Sequence, residues 1–255
     1  MNEKYRECFE LIDHADRVCV LTGAGVSTLS GIPDFRGRNG FFTSGENNWH
    51  GHSKEELFDI DFLKAEPEVF YQFALEFLYP MLEKTPSIAH TTLAAMQTRN
   101  ICQTVFTQNI DNLHGKAGGR SVVELHGTMN GFVCLQCGDY FSLEELLPSI
   151  RQGEVPYCPC GGLVKPDVIF YGEALNENAL TRAFRECEKA EVLLVMGTSL
   201  TVNPVASLPQ YTKMGGGKVV IVNSQATSFD PSAAFCFDDI AGFCQAAQEY
   251  FHLQA

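Results

Sequence analysis

The chain has 255 residues, 45% hydrophobic and 19% charged, enough to bury a sizeable core and not the composition of a disordered chain. Lys and Arg number 18 against 31 Asp and Glu, a net charge of −13 that repels polyanions, so neither nucleic acid nor an anionic membrane surface is an expected partner. No apolar run is long enough to span a bilayer, and the polar, mixed-charge start MNEKYRECFELIDHADR does not read as a signal or transit peptide. The ten cysteines are therefore expected as thiols or metal ligands in a reducing cytoplasm.

In chain order, the N-terminal stretch predicts an amphipathic helix with Tyr5, Phe9 and Ile12 on one face. Arg17–Leu21 (RVCVL) is the first of several short Val- and Ile-rich runs, and it stops at Thr22-Gly23. Asn39–Lys64 is a polar, glycine-containing loop without a period, long enough to suggest a lid or binding loop. Helical stretches follow at Pro67–Tyr79 and Ile88–Thr98. Thr104–Phe106 stops at Thr107-Gln108-Asn109, and Val122–Glu124 stops at Leu125-His126-Gly127. Thr128–Pro166 carries four cysteines and little periodicity, as in a small insert held by a metal. A helix at Glu177–Cys187, a strand at Glu191–Met196, a helix at Val205–Thr212 and strands at Lys218–Val222 and Ala234–Phe237 complete the pattern. Continuous apolar runs alternating with helices predict an α/β fold with a parallel, doubly wound sheet whose ligands sit at the carboxyl ends of the strands.

Three constellations carry chemistry. Gly23-Ala24-Gly25 follows the first strand and lets backbone approach a diphosphate, although position 28 is Thr28 and such a glycine pair also makes an ordinary tight turn. Ser27, Asp34 and Arg36 follow closely, and the planar fork of an arginine suits a diphosphate as well as a salt bridge to Asp34. Cys134-x-x-Cys137 and Cys158-x-Cys160 form two thiolate knuckles twenty residues apart, a tetrahedral zinc arrangement with no position left for water, hence structural. The alternative, four free cysteines, fits poorly with an insert too small to build a core. The remaining Cys8, Cys19, Cys102, Cys187, Cys236 and Cys244 read as packing. Finally, Thr107–His114 and Glu124–Gly127 place an Asn, an Asp and a His at neighbouring strand ends, which suits a general-base site. His126 is singled out by its place at a strand end; His14, His50, His52, His90, His114 and His252 read as structural or solvent-facing.

Together these motifs resemble a sirtuin: GAGVSTLSGIPDFRG at Gly23–Gly37, TQNIDNLH at Thr107–His114, ELHG at Glu124–Gly127, the four-cysteine insert, KPDVIFYGE at Lys165–Glu173, GTSLTVNP at Gly197–Pro204 and VNSQ at Val222–Gln225. The match runs from about Arg17 to the C-terminus, and Phe58–His90 is similar to bacterial and archaeal members of the deacetylase type. The loop Gly45–Glu56 is longer than in compact bacterial members, and the C-x-C knuckle is shorter than in many.

The resemblance implies an NAD-dependent protein-lysine deacetylase that forms nicotinamide and O-acetyl-ADP-ribose. The fold it implies is a Rossmann-like doubly wound parallel sheet with a smaller zinc-binding and helical domain. It divides the chain into a Rossmann-like part (1–38, 86–127 and 167–255), a helical and cofactor-loop part (39–85) and a zinc module (128–166). NAD+ is implied as co-substrate, one zinc ion per chain on Cys134, Cys137, Cys158 and Cys160 as structural metal, and acetyl-lysine proteins as substrates. His126 and Asn109 would be catalytic. Gly23, Ala24, Gly25, Ser27, Asp34 and Arg36 would serve the diphosphate and its ribose, with Phe35 covering the site. Gln108, Asn109 and His126 would line the nicotinamide ribose, Asp111 and Ile32 would hold the nicotinamide amide, and Ile110 would belong to the same cofactor-binding set. Gly197, Thr198, Ser199, Asn223 and Ser224 would take the adenosine half. Val168, Phe170, Tyr171 and Gly172 would pair with the substrate as a strand. Mono-ADP-ribosyl transfer, an NAD-dependent oxidoreductase and a non-catalytic NAD sensor are the competing readings; the missing third glycine argues against the oxidoreductase.

Overall fold

The computed structural model describes residues 2–35, 37, 40–43 and 48–253. Its elements are α1 (Glu3–Asp13), β1 (Val18–Thr22), β2 (Asn48–Trp49), β3 (His52–Ser53), α2 (Ile60–Ala65), α3 (Pro67–Phe73), α4 (Ile88–Thr98), β4 (Thr104–Thr107), α5 (Leu113–Lys116) and β5 (Val122–Glu124). They continue with β6 (Gly127–Cys134), β7 (Tyr140–Ser142), α6 (Leu143–Ile150), β8 (Val164–Val168), α7 (Glu177–Lys189), β9 (Val192–Met196), α8 (Leu208–Met214), β10 (Lys218–Val222), β11 (Phe235–Phe237) and α9 (Ile240–Tyr250).

The short apolar runs form one parallel sheet in the order β11-β10-β9-β1-β4-β5. Counted among themselves in chain order, these six strands lie 3-2-1-4-5-6, the doubly wound arrangement with its switch point beside β1. Alternation within each strand feeds two cores. Val18, Val20, Val192, Leu194, Val220 and Val222 pack with Phe9, Leu93, Met96 and Phe243 of α1, α4 and α9. Cys19, Leu21, Leu193, Val195, Val219 and Ile221 pack on the opposite face with Ala183, Cys187 and Leu208 of α7 and α8. Both faces are covered, which is why these strands carry no polar alternation.

A second unit is built around an antiparallel three-stranded sheet, β7-β6-β8. Its core joins Phe132, Val164 and Phe170 to Phe41, Phe42, Phe58, Phe70 and Phe73, so the zinc module and the helical segment share one hydrophobic interior. The expected aperiodic insert contains α6, whose start is closed by reciprocal bonds: Ser142 N–H donates to Glu145 Oε2 at 2.6 Å and Glu145 N–H to Ser142 Oγ at 3.3 Å.

The helix expected over Pro67–Tyr79 instead continues from α3 through one π turn, Ala74–Leu78, into a 3-10 turn, Tyr79–Glu83. Pro80 lacks an N–H and its ring crowds the carbonyl four residues back, so regular α geometry ends before it. The expected loop Asn39–Lys64 is partly ordered: β2 pairs with β3, and Asp59 caps α2. Trp49 on β2 donates its indole N–H to Glu76 Oε2 at 2.9 Å and lies 5.8 Å from the Phe73 ring. Among the described residues no helix is long and apolar enough to cross a membrane.

Candidate active site

The carboxyl ends of β1, β4, β9 and β10 meet in a cleft lined by Gly23, Ala24, Gly25, Asp34, Phe35, Gln108, Asn109, His126, Gly197, Thr198, Ser199, Asn223 and Ser224. Its floor is backbone against backbone. Gly25 N–H donates to the Gly197 carbonyl at 2.8 Å, and a Cβ on Gly25 would lie 2.6 Å from Gly197 Cα. Only glycine permits this approach, and the exposed amides and hydroxyls above it suit a dinucleotide diphosphate and riboses.

His126 enters the cleft from the turn between β5 and β6, and its Nδ1 lies 3.1 Å from the Gln108 carbonyl. A carbonyl only accepts, so Nδ1 carries a proton, and in the uncharged form of the ring the basic nitrogen is Nε2. Gln108 is itself fixed by donating Nε2–H to Thr198 Oγ1 at 2.9 Å.

Behind this wall lies a buried polar hub. Ser27 Oγ donates to Asp111 Oδ2 at 2.6 Å and accepts from Asn109 Nδ2 at 3.0 Å. His90 Nδ1 accepts the Ser87 N–H at 3.1 Å, so its proton sits on Nε2, 3.4 Å from Ser27 Oγ. The start of α4 therefore uses a histidine at the third position of a capping box and delivers its ring to Ser27. His114 lies edge-on to His90, ring centroids 4.7 Å apart, with Nε2 2.9 Å from Thr22 Oγ1. Burial pushes His90 down to about 4, against the opposing pull of Asp111. Burial and the neighbouring His90 push His114 down to about 3. Burial raises Glu124, at the end of β5, to about 7; Asp111 and Asp167 add to this and the Thr128 hydroxyl opposes it.

Cys134, Cys137, Cys158 and Cys160 bring their sulfurs within 4.8 Å of one another. Close sulfur pairs lie at 3.4, 3.5 and 3.6 Å. Tetrahedral zinc with Zn–S of about 2.3 Å sets sulfur–sulfur edges of about 3.8 Å, so the four thiolates fit one structural zinc. Gly162 makes room for the short knuckle, since a Cβ there would lie 2.6 Å from Cys134 Sγ.

A profile of the Sir2 family matches residues 23–204. The chain belongs to the Sir2 family. It is 39% identical over 248 residues to the NAD-dependent protein deacetylase of Thermotoga maritima, covering 96% of this chain and 98% of that one. It is 37% identical over 233 residues to the NAD-dependent protein deacylase 2 of Archaeoglobus fulgidus, covering 91% and 89%. Among solved structures it resembles a Sir2 with a deacetylated p53 peptide and 3′-O-acetyl-ADP-ribose, with a TM-score of 0.89 at 38% identity over 98% of this chain and all of that one. A Sir2 with a p53 peptide and NAD+ matches with a TM-score of 0.87 at 37% identity, covering 98% and 99%. Sir2Tm bound to a propionylated peptide also matches, with a TM-score of 0.87 at 36% identity, covering 98% and 100%.

Of the residues expected at the cofactor, Ser27, Ile32, Ile110 and Asp111 are buried and do not line the cleft; Arg36 lies outside the described residues. Asp111 is 4% exposed and accepts from Ser27 and from the Leu113 N–H at 2.9 Å. On the expected peptide wall, several backbone groups are engaged within the chain. Val168 O accepts from Lys165, Phe170 N–H donates to Glu173, and Tyr171 N–H and O bond to Phe58 and Ile60. Sequence reasoning passed over Gly37, Val202 and Gln225, which also line the cleft, and gave His90 and His114 no link to the site. The latter two carried a legible hint only for His90, as the third residue after Ser87 at a helix start.

One zinc per chain is expected by metal analysis, and Cys160→Ser or a strong chelator should lower the melting temperature and remove activity together, because the metal organises the shared core. Purified protein without zinc, or with iron in its place, would contradict this. A second expectation concerns acid. His90 and His114 stay neutral in the fold but take up protons in the unfolded chain below about pH 6.5. Their stabilisation is therefore complete above that pH and drains as pH falls toward 4 and 3, by up to about 1.4 kcal/mol per pH unit for each ring. Glu124 acts oppositely, losing its contribution as pH rises toward 7. Urea midpoints at pH 5 and pH 7 should differ less in His114→Asn than in the wild type; equal differences would refute the assignment.

Proposed function

We propose that this cleft is the active site of an NAD-dependent protein-lysine deacetylase, whose products are the free lysine, nicotinamide and O-acetyl-ADP-ribose. The observation that carries the reading is the His126 tautomer: with Nδ1–H held by the Gln108 carbonyl at 3.1 Å, the basic nitrogen of the neutral ring is Nε2. NAD+, when bound, supplies a ribose carbon that becomes electrophilic as nicotinamide departs. His126 accepts a proton from a ribose hydroxyl, which an imidazole does well near neutral pH. Asn109 and Gln108 orient the same ribose, with Asn109 braced by Ser27. Phe35 covers the site and keeps out water that would hydrolyse the dinucleotide unproductively. Thr198, Ser199, Asn223 and Ser224 take the adenosine half, and the glycine floor takes the diphosphate. Ser27, Ile32, Ile110 and Asp111 act from behind the wall, as the backing of the nicotinamide end.

The division of the chain follows the same reading. A Rossmann-like unit (1–38, 86–127 and 167–255) faces a smaller one made of 39–85 and 128–166, and the core those two segments share supports grouping them. The small sheet itself reaches from Gly127 to Val168, just past those bounds. The substrates are acetyl-lysine proteins, lying along 168–172 between the two units. Six thiols outside the metal cluster suit a reducing compartment, and we take the cytoplasm as the setting.

His126→Ala should lower deacetylation ~10²–10⁴-fold while ADP-ribose binding by calorimetry is retained, because the imidazole acts on hydroxyl protons. Wild-type turnover in that variant would overturn the mechanism. Acyl preference follows from α3 and the π turn after it, which by the family resemblance face the acyl group. Tyr71 donates its hydroxyl to the Val164 carbonyl at 2.7 Å, Ala74 is fully buried, and no arginine lies between Glu66 and Leu82. A succinyl carboxylate there would be an unpaired buried charge, at several kcal/mol even after relaxation, whereas an acetyl or propionyl group has none. On one peptide, kcat/KM for acetyl-lysine should exceed that for succinyl-lysine by ~10²-fold or more; equal values would refute the apolar reading of this helix.

A further inference from the structure

Lys165 is 4% exposed, an uncommon place for an ammonium. Burying one is costly unless each of its three N–H donors is used. All three have acceptors here: the Val168 carbonyl at 2.7 Å, the Pro166 carbonyl at 3.1 Å and Glu173 Oε2 at 3.1 Å. The Phe170 ring centroid lies 5.1 Å from the same ammonium. Glu173 Oε2 also accepts the Phe170 N–H at 2.9 Å, and the Glu173 N–H returns to the Phe170 carbonyl at 3.1 Å. The two charges stand at either end of the segment 165–173 and direct their contacts to backbone groups within it.

The outer side of this segment is fixed separately. Tyr171 N–H donates to the Phe58 carbonyl at 2.8 Å, and the Tyr171 carbonyl accepts from Ile60 N–H at 3.1 Å. Ile169 N–H donates to the His126 carbonyl at 2.9 Å, which ties the segment to the catalytic turn. Among the described residues, the Ile169 carbonyl and the Gly172 N–H and carbonyl have no hydrogen-bond partner in the chain. They are the backbone groups left for an incoming strand.

We propose that the Lys165–Glu173 ion pair is a positioning device for peptide affinity, holding the Ile169–Gly172 turn in the shape that presents these backbone groups to the substrate. The proposal rests on the reading of this segment as the peptide wall. Replacing a buried ion pair by apolar side chains of similar volume is often neutral for stability, so stability alone does not call for charges here. What an apolar pair cannot reproduce is the set of bonds to the Pro166 and Val168 carbonyls and to the Phe170 N–H.

The test uses the full chain with zinc bound and three variants, Lys165→Met/Glu173→Met, Glu173→Ala and Glu173→Gln. Acetyl-peptide affinity is read by fluorescence anisotropy, ADP-ribose affinity by calorimetry, and folding by the thermal transition. The double variant and Glu173→Ala are expected to weaken peptide binding roughly ten- to hundredfold, as a displaced positioning group does. ADP-ribose affinity should stay within about twofold. Glu173→Gln keeps an acceptor oxygen but removes the charge that faces Lys165, and should weaken peptide binding by an intermediate factor, about threefold or more. Peptide affinity that is unchanged in the folded double variant overturns the proposal, as does an equal loss for both ligands. If neither the double variant nor Glu173→Ala folds, Glu173→Gln decides. Peptide binding weakened by threefold or more with ADP-ribose unaffected supports positioning by charge, and wild-type peptide binding overturns it. A wild-type protein that binds no acetyl-peptide would sink the deacetylase reading itself, an outcome distinct from any of these.

Discussion

The contact on which the site depends is the approach of two turns with no side chains between them. Gly25 and Gly197 close on each other at the ends of β1 and β9, and Gly197 takes a φ of +64°. A Cβ on Gly197 would lie 2.5 Å from the Val26 amide nitrogen. Neither backbone could move away without breaking the adjacent pairing of β1 and β9, in register from Val18–Val192 to Thr22–Met196. The sheet thus brings the turns together, and the turns set the depth of the cleft above them. The positions of Gln108 and Thr198, bonded across that floor, follow from it.

A second level of order stands behind the first. Ser27 follows the glycine turn, Asn109 follows β4 and His90 opens α4, so three separate elements meet at one hydroxyl. A hydroxyl has one proton to give and two lone pairs to accept with, and all three are used here. Its orientation is therefore determined, and with it the orientation of the Asn109 amide. Such satisfied polar networks in a low-dielectric interior specify one arrangement more sharply than apolar packing does.

The parts of this architecture that were legible in the sequence are those set by local rules. Strands buried on both faces must be continuous apolar runs, so β1, β9 and β10 could be read directly, and the thiolate spacing identified the metal cluster before any geometry was known. The hub was not legible, because His90 and His114 acquire their surroundings only when α4 and α5 dock behind β1. The π turn at Ala74–Leu78 escaped for a different reason: the apolar period runs on through it, and only Pro80 signals the change. The start of α6 did carry a signature, Ser142 with Glu145 three residues later, which was hidden by treating the cysteine insert as aperiodic. The buried role of Lys165 could not be inferred, since a lysine beside a proline usually reads as a surface residue.

The anchoring of β2 gives the chain an internal spectroscopic probe. Trp49 is the single tryptophan of the sequence, and its indole is tied to Glu76 on the π turn and stacked edge-on near Phe73. Phe73 in turn touches Phe41 and Phe58, which surround Phe35 at the mouth of the cleft. Excitation at the red edge of the indole band passes over all eight tyrosines, so the emission comes from one ring three ring contacts removed from Phe35 at the cleft. A change in the packing of this aromatic cluster can therefore be followed in the native chain by intrinsic fluorescence, without a label.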